Sequence, residues 1–262
     1  MSADGERWFL VNASPDLRAQ IESFPALQPR AGTLRESPIE AMLLTNADLD
    51  HVLGVFLLRE SGGLIVQATD AVLETLVSGL RIDQVLGAFG GIRWVAMMEE
   101  VTPLVDRTGT PSGLSCRAIP LPGGPPPYAR AAAQLSGHSI ALQITDDVTG
   151  ARLLVAPDVA ETTPALRAAL AESEAVLLDG TFWSEEELRA VRPGARTARE
   201  MGHLPISGAG GTLELMRASA ARYKAYVHIN NTNPILMADT RERAEVETAG
   251  VYVAEDGWEF EL

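Results

Sequence analysis

The chain has a single cysteine, Cys116, among 262 residues. No intramolecular disulfide can form, a Cys-based zinc site is ruled out, and no oxidising compartment is needed. Also absent is any apolar run of the roughly 18 residues that a membrane span requires. Met1-Ser2-Ala3-Asp4-Gly5-Glu6-Arg7 lacks the pattern of a signal peptide. Positive charge is scarce: 21 Lys and Arg stand against 35 Asp and Glu, a formal net charge of −14. That balance argues against non-specific binding to nucleic acid or to an anionic membrane, since either needs a cationic surface. A cytoplasmic protein is the expectation. Hydrophobic residues at 46% and charged residues at 21% are ordinary globular composition. The length suits one large α/β domain, expected over residues 1–262.

What the chain does have is a recurring pattern of apolar runs that end in polar residues. Residues 39–45 read as a buried parallel strand that breaks into Asn46, Asp48, Asp50 and His51 before a helical pattern. In an open α/β architecture the carboxyl ends of strands are where ligands and metals sit. Upstream, Trp8-Phe9-Leu10-Val11 reads as a strand followed by Asn12, then Ser14 as N-cap, Pro15 at the first helical position and Asp16 in the first turn. Free N–H groups there can also meet an anion, which makes Asn12 and Ser14 candidate substrate contacts.

Residues 52–59 are expected to form a buried helix because they are apolar on most faces. A strand at 64–68 and a helix at 69–79 capped by Thr69 or Asp70 follow, then strands at 92–97 and 116–119 with Cys116 in the core. The stretch 120–128 holds too many prolines for regular structure and is a covering loop. Runs at 139–145 and 152–156 flank Asp146-Asp147-Val148-Thr149-Gly150 as a hairpin, with His138 as a structural or exposed residue at its start and Asp158 just past its end. A capped helix at 163–171 and a short strand at 175–178 lead to Asp179. Arg192, Arg196 and Arg199 punctuate the approach to His203. A helix at 211–221, a strand at 225–227 ending in His228, a final helix at 241–249 and two short strands close the chain. The alternation fits two sheets sandwiched between helices.

Thr45-Asn46-Ala47-Asp48-Leu49-Asp50-His51 resembles the HxHxDH motif of the metallo-β-lactamase superfamily, in which two histidines serve one metal and the Asp-His pair serves a second. Asn46 and Asp48 stand in place of the leading histidines. No histidine lies between His51 and His138, where a third ligand of the first metal commonly falls. Together with Asn12-Ala13-Ser14-Pro15-Asp16, Asp179-Gly180-Thr181, Met201-Gly202-His203-Leu204-Pro205 and His228-Ile229-Asn230-Asn231-Thr232-Asn233-Pro234, the chain resembles the PqqB family of pyrroloquinoline quinone (PQQ) synthesis over nearly its whole length.

The resemblance implies an αββα metallo-β-lactamase-type sandwich, α/β in class, of two mixed sheets flanked by helices. It also implies iron-dependent hydroxylation, by O2, of a tyrosine-derived aromatic quinone precursor. Two departures accompany it. The family's N-terminal strand and cysteine cluster are missing, which suggests an upstream start or, if the short chain is real, an exposed sheet edge; and Asp158 replaces a common glycine.

The surviving candidate metal ligands are Asp50, His51 and His228, with Asp158 and Asp48 as further candidates. Two histidines and a carboxylate with open positions are the ligand set of non-haem Fe(II) oxygenases, so Fe(II) is the expected cofactor and Zn(II) the alternative. His203 and Asp179 resemble a proton-transfer pair of RNA-cleaving relatives, which suggests general acid/base roles. Arg196, with its neighbours, and Asn230 are candidate substrate contacts, and a homodimer is compatible with the family reading. Structural uses remain open: Asp50 as a helix N-cap, and His228 with its asparagines as a turn network. A non-catalytic carrier of the quinone or its precursor, and a zinc hydrolase, are the competing functions.

Overall fold

The run at Ile39–Leu43 forms strand β2 of a four-stranded sheet, with β1 (Trp8–Val11), β3 (Leu64–Ala68) and β4 (Ile92–Ala96). The order is β1-β2-β3-β4 and each neighbouring pair is parallel, as expected where every apolar strand is followed by helical crossover material. The computed structural model describes residues 1–29, 37–132 and 134–262, the side chains of 130–132 excepted. The chain divides into two compact units: Met1–Pro120, Gly124–Ile140 and Thr145–Gly150 make the first, and Leu121–Gly123, Ala141–Ile144 and Ala151–Leu262 the second.

In the first unit, helices α1 (Leu17–Ser23), α2 (Leu49–Val52), α3 (Asp70–Glu74) and α4 (Ile82–Gly87) pack Leu17, Val52, Val72, Ile82 and Leu86 into one core with Met42, Leu44, Leu64 and Val66. Thr69 caps α3 by accepting the Val72 N–H, as its residue type predicts. Strands β5 (Thr102–Val105) and β6 (Pro111–Leu121) pair antiparallel. Cys116 is buried on β6, and burial pushes its thiol up to about 12, which makes it a core residue and not a nucleophile.

The stretch expected to be an irregular loop over 120–128 is regular at both ends, with β6 running through Pro120 and a 3-10 helix starting at Pro127, and two further local expectations fail in this unit for identifiable reasons. The first helix starts at Leu17, not at Ser14, because Ser14 closes the preceding turn: its hydroxyl accepts the Asp16 N–H at 3.2 Å and its carbonyl the Leu17 N–H at 3.1 Å. The expected helix at 52–59 is a 3-10 segment over Leu53–Leu58, because the Gly54 N–H leaves the helical ladder and donates to the Ala13 carbonyl at 2.9 Å. A Cβ at Gly54 would lie 2.4 Å from the Ser14 oxygen, so only glycine allows this approach. The tighter coil leaves Leu53 and Leu57 exposed while Val55 and Leu58 stay buried.

In the second unit, β8 (Arg152–Ala156), β9 (Ala175–Asp179), β10 (Tyr223–Val227) and β11 (Tyr252–Val253) form a parallel run ordered β11-β10-β9-β8. β7 (Ser139–Asp146), whose central residues Ala141–Ile144 belong to this unit, is next to β8 in the order. Helices α5 (Pro164–Ala171), α6 (Glu187–Val191), α7 (Thr212–Ala218) and α8 (Arg241–Thr248) connect or follow these strands, α5 being capped by Thr163. The second of the two closing strands does not form. After β11 the chain lays Trp258 on Tyr252 and Phe260 on Tyr223, with ring centroids 5.4 and 4.8 Å apart. Among the described residues no helix is long and apolar enough to cross a membrane.

Candidate metal and proton-transfer site

Each unit gathers polar side chains at the carboxyl ends of its parallel strands. In the first, the bend after β1 puts Asn12 at a left-handed φ of 58°, a conformation that asparagine tolerates better than most residues. The Asn12 Oδ1 accepts the Thr45 backbone N–H at 2.9 Å, and its Nδ2 lies 2.9 Å from both the Thr45 hydroxyl and His51 Nδ1. His51 is buried, and its Nε2 is 3.9 Å from an oxygen of the exposed Asp50 carboxylate. Asn46 turns the loop by accepting the Asp48 N–H at 2.9 Å. Asp48 is the residue before α2, yet caps it with no side-chain hydrogen bond; nor does Asp50, inside the helix, serve as its N-cap.

Tyr128, which sequence reasoning passed over, reaches back from the proline-rich segment and donates its hydroxyl to the Ala47 carbonyl. Burial and the nearby Asp48 charge push its phenol up to about 12. Its ring packs on Gly79, where an added Cβ would come within 3.0 Å of two ring carbons.

The second unit holds the denser cluster. Asp158 lies just past β8, Asp179 ends β9 and His228 follows β10, while the loop carrying His203 is fixed by the Leu204 N–H to Val159 carbonyl bond at 2.7 Å. Asp179 is fully buried, and its oxygens accept four hydrogen bonds: the Thr181 N–H at 2.9 Å and hydroxyl at 2.6 Å on one, the Val159 N–H and His203 Nδ1 at 2.8 Å on the other. Four donors fill the lone-pair directions of an ionised carboxylate. Burial works to lower the His203 pKa, but the hydrogen bond and charge of Asp179, helped by the charge of Asp158, outweigh it and leave the imidazole raised.

The His203 and His228 rings stack with centroids 5.5 Å apart. Asp158 Oδ1 lies 3.7 Å from His203 Nδ1 and 3.8 Å from His228 Nδ1. His228 itself has a left-handed φ of 54°, the kind of backbone strain that clusters at functional positions. Asp158, His203 and His228 can each present one ligand atom, all within 4.8 Å of one another. Two imidazoles and one carboxylate at that spacing fit a first-row divalent cation.

The remaining candidates are placed in local structure. Ser14 belongs to the turn before α1. Arg196 donates to the Glu200 carbonyl at 3.3 Å, and Arg199 pairs with Glu185. Asn230 donates to the Thr232 hydroxyl at 2.8 Å, and its own N–H goes to the Thr181 carbonyl at 3.1 Å, a turn network beside His228. His138 is buried. Thr181, whose hydroxyl lies 2.8 Å from His228 Nδ1 and 3.2 Å from His203 Nδ1, went unremarked; its one sequence signal is the Asp179-Gly180-Thr181 run at a strand end.

A family model described as beta-lactamase superfamily domain matches residues 7–229. A protein named coenzyme PQQ synthesis protein B from Rhodopseudomonas palustris (strain TIE-1) is 39% identical over 267 residues, covering 100% of this chain and 86% of that protein. The crystal structure of Zn(2+)-bound PqqB from Methylobacterium extorquens superposes with a TM-score of 0.87 at 34% identity, covering 100% of this chain and 86% of the other. A metallo-β-lactamase fold protein, YhfI from Bacillus subtilis, shares the fold at 14% identity with a TM-score of 0.63, covering 97% of this chain and 87% of the other. With two sheets flanked by helices and matches over the whole of this chain well above 30% identity, the chain belongs to the PqqB family of metallo-β-lactamase-fold proteins.

Proposed function

We propose that this protein acts in the synthesis of the redox cofactor PQQ as a metal-dependent hydroxylase of a tyrosine-derived quinone precursor. The observation that carries the reading is the set Asp158, His203 and His228, two imidazoles and a carboxylate converging within 4.8 Å in the second unit. That ligand set leaves positions open, as in non-haem iron oxygenases. The name of the relative at 39% identity supports the pathway, and the zinc in the Methylobacterium relative supports a metal.

Bound there, Fe(II) would supply activation of O2 for aromatic hydroxylation. The protein's own groups do the rest. Asp179, held by four donors, fixes the His203 ring through Nδ1 and so turns its Nε2 away from the carboxylate. While that atom is not bound to a metal, His203, with its pKa raised, can hold or release a proton there; as a ligand it would give the same lone pair to the cation. Asp50 and His51 of the first unit remain ligand candidates from the family motif, and Asp48 a supporting acceptor.

The test is the metal content of anaerobically purified protein with variants Asp158→Ala, His203→Ala, His228→Ala and His51→Ala, followed by assays with O2 and a dihydroxyphenyl substrate. About one iron per chain, lost in the three second-unit variants, is the expected pattern for this ligand set. Loss in His51→Ala as well would add His51 to the ligand set. Stoichiometric quinone binding by folded, metal-free protein without turnover would favour the carrier, and zinc-dependent phosphodiester turnover the hydrolase.

A further inference from the structure

Thr181 sits between the buried carboxylate and both histidines, and its single hydroxyl hydrogen has three acceptors to choose from, the third being His228 Nδ1 at 2.8 Å were that atom to carry a lone pair. Asp179 Oδ1 is 2.6 Å away and charged, whereas the His228 carbonyl is 3.0 Å away and neutral. The charged, nearer oxygen takes the hydrogen. A hydroxyl that has donated its hydrogen can only accept in its remaining directions. One of those directions faces His228 Nδ1 at 2.8 Å, a distance at which two lone pairs would repel, so Nδ1 must carry the ring hydrogen.

We infer that Thr181 is a positioning residue that passes the demand of the buried Asp179 on to His228, holding that ring as the Nδ1–H tautomer. His203 reaches the same state directly, since its Nδ1 donates to Asp179 at 2.8 Å. One buried carboxylate thereby presets two imidazoles, one by contact and one through a hydroxyl. The backbone enforces the placement: a Cβ at Gly180 would come within 2.8 Å of the Tyr226 Cβ, so the turn between Asp179 and Thr181 is pressed against β10. Asn233 locks the same turn by donating to the Gly180 carbonyl at 2.8 Å. The functional weight of the inference rests on the proposed metal-binding reading, but the tautomer itself does not.

The experiment is long-range 1H–15N correlation of metal-free protein labelled with 15N-histidine, with the His228 signals assigned by their loss in His228→Gln. The wild type is expected to show His228 as the Nδ1–H tautomer, and Thr181→Ser to keep it. Thr181→Val, with its amide spectrum confirming the fold, is expected to shift His228 toward Nε2–H and weaken Zn(II) binding about tenfold or more. An Nε2–H signal in the wild type overturns the inference without any variant. So does an unchanged tautomer in folded Thr181→Val. A shifted tautomer with unchanged Zn(II) affinity upholds the positioning role and counts against His228 as a metal ligand.

Discussion

Asn12 and His51 are joined by a hydrogen bond of 2.9 Å between Asn12 Nδ2 and His51 Nδ1, and the Thr45 N–H on Oδ1 fixes which end of the amide faces the ring. An amide nitrogen donates. His51 Nδ1 therefore accepts, and the neutral ring carries its hydrogen on Nε2, the opposite of the state inferred for His228.

Asn12→Ala removes the acceptor of the Thr45 N–H beside two buried side chains and places alanine at a φ of 58°. An unsatisfied buried N–H costs about 1–3 kcal/mol, and the left-handed backbone adds about 1 kcal/mol for a residue with a Cβ. Urea unfolding is expected to show a loss of roughly 2–4 kcal/mol. A loss under about 0.5 kcal/mol, the scale of an ordinary surface change, would show that solvent takes over both roles.

The raised pKa of His203 sets a sign for pH dependence in metal-free protein. A group whose pKa is higher folded than unfolded stabilises the fold when protonated. Its contribution is complete below the unfolded histidine value of about 6.5 and is lost as pH rises through the folded value. The stability difference between wild type and His203→Gln is therefore expected to be larger at acidic than at alkaline pH. A difference that grew with pH in denaturant titrations would refute the assignment.

Tyr128→Phe keeps the ring against Gly79 and deletes only the hydroxyl that donates to Ala47. The expected cost is about 1 kcal/mol, the usual net worth of one hydrogen bond. Amide exchange in the 45–52 segment should quicken, because Ala47 lies in the turn that the hydroxyl holds. Unaltered exchange would make the contact incidental.

Gly180→Ala drives a methyl to 2.8 Å from the Tyr226 Cβ and 3.1 Å from the Val227 oxygen. Overpacking of this kind costs about 1–3 kcal/mol. Thr181 would move with it, so thermal stability and metal affinity should fall together. A stable variant with undiminished affinity would show that the turn has slack.

The elements were legible where their signals are local. The strand at Leu64–Ala68 and the caps Thr69 and Thr163 follow from runs and residue types that need no distant partner. The break at Gly54 was not legible, because it depends on Ala13, a residue of another element. Tyr128 and Thr181 escaped notice for the same reason: the first meets its partner across 81 positions and the second across 47. Arg196 and Asn230 show the converse difficulty. A polar side chain reads alike in sequence whether it faces a ligand or, as here, a neighbouring carbonyl or hydroxyl.

The strand orders bear on how the molecule is made. In the run β1-β2-β3-β4 and again in β8-β9-β10-β11, each strand lies beside the one preceding it in the chain. A polypeptide leaving the ribosome N-terminus first can add each strand to an edge already present, with no vacancy held open for a later arrival. Its transiently bare edges are thus brief and few, a property of value to two runs built from apolar parallel strands.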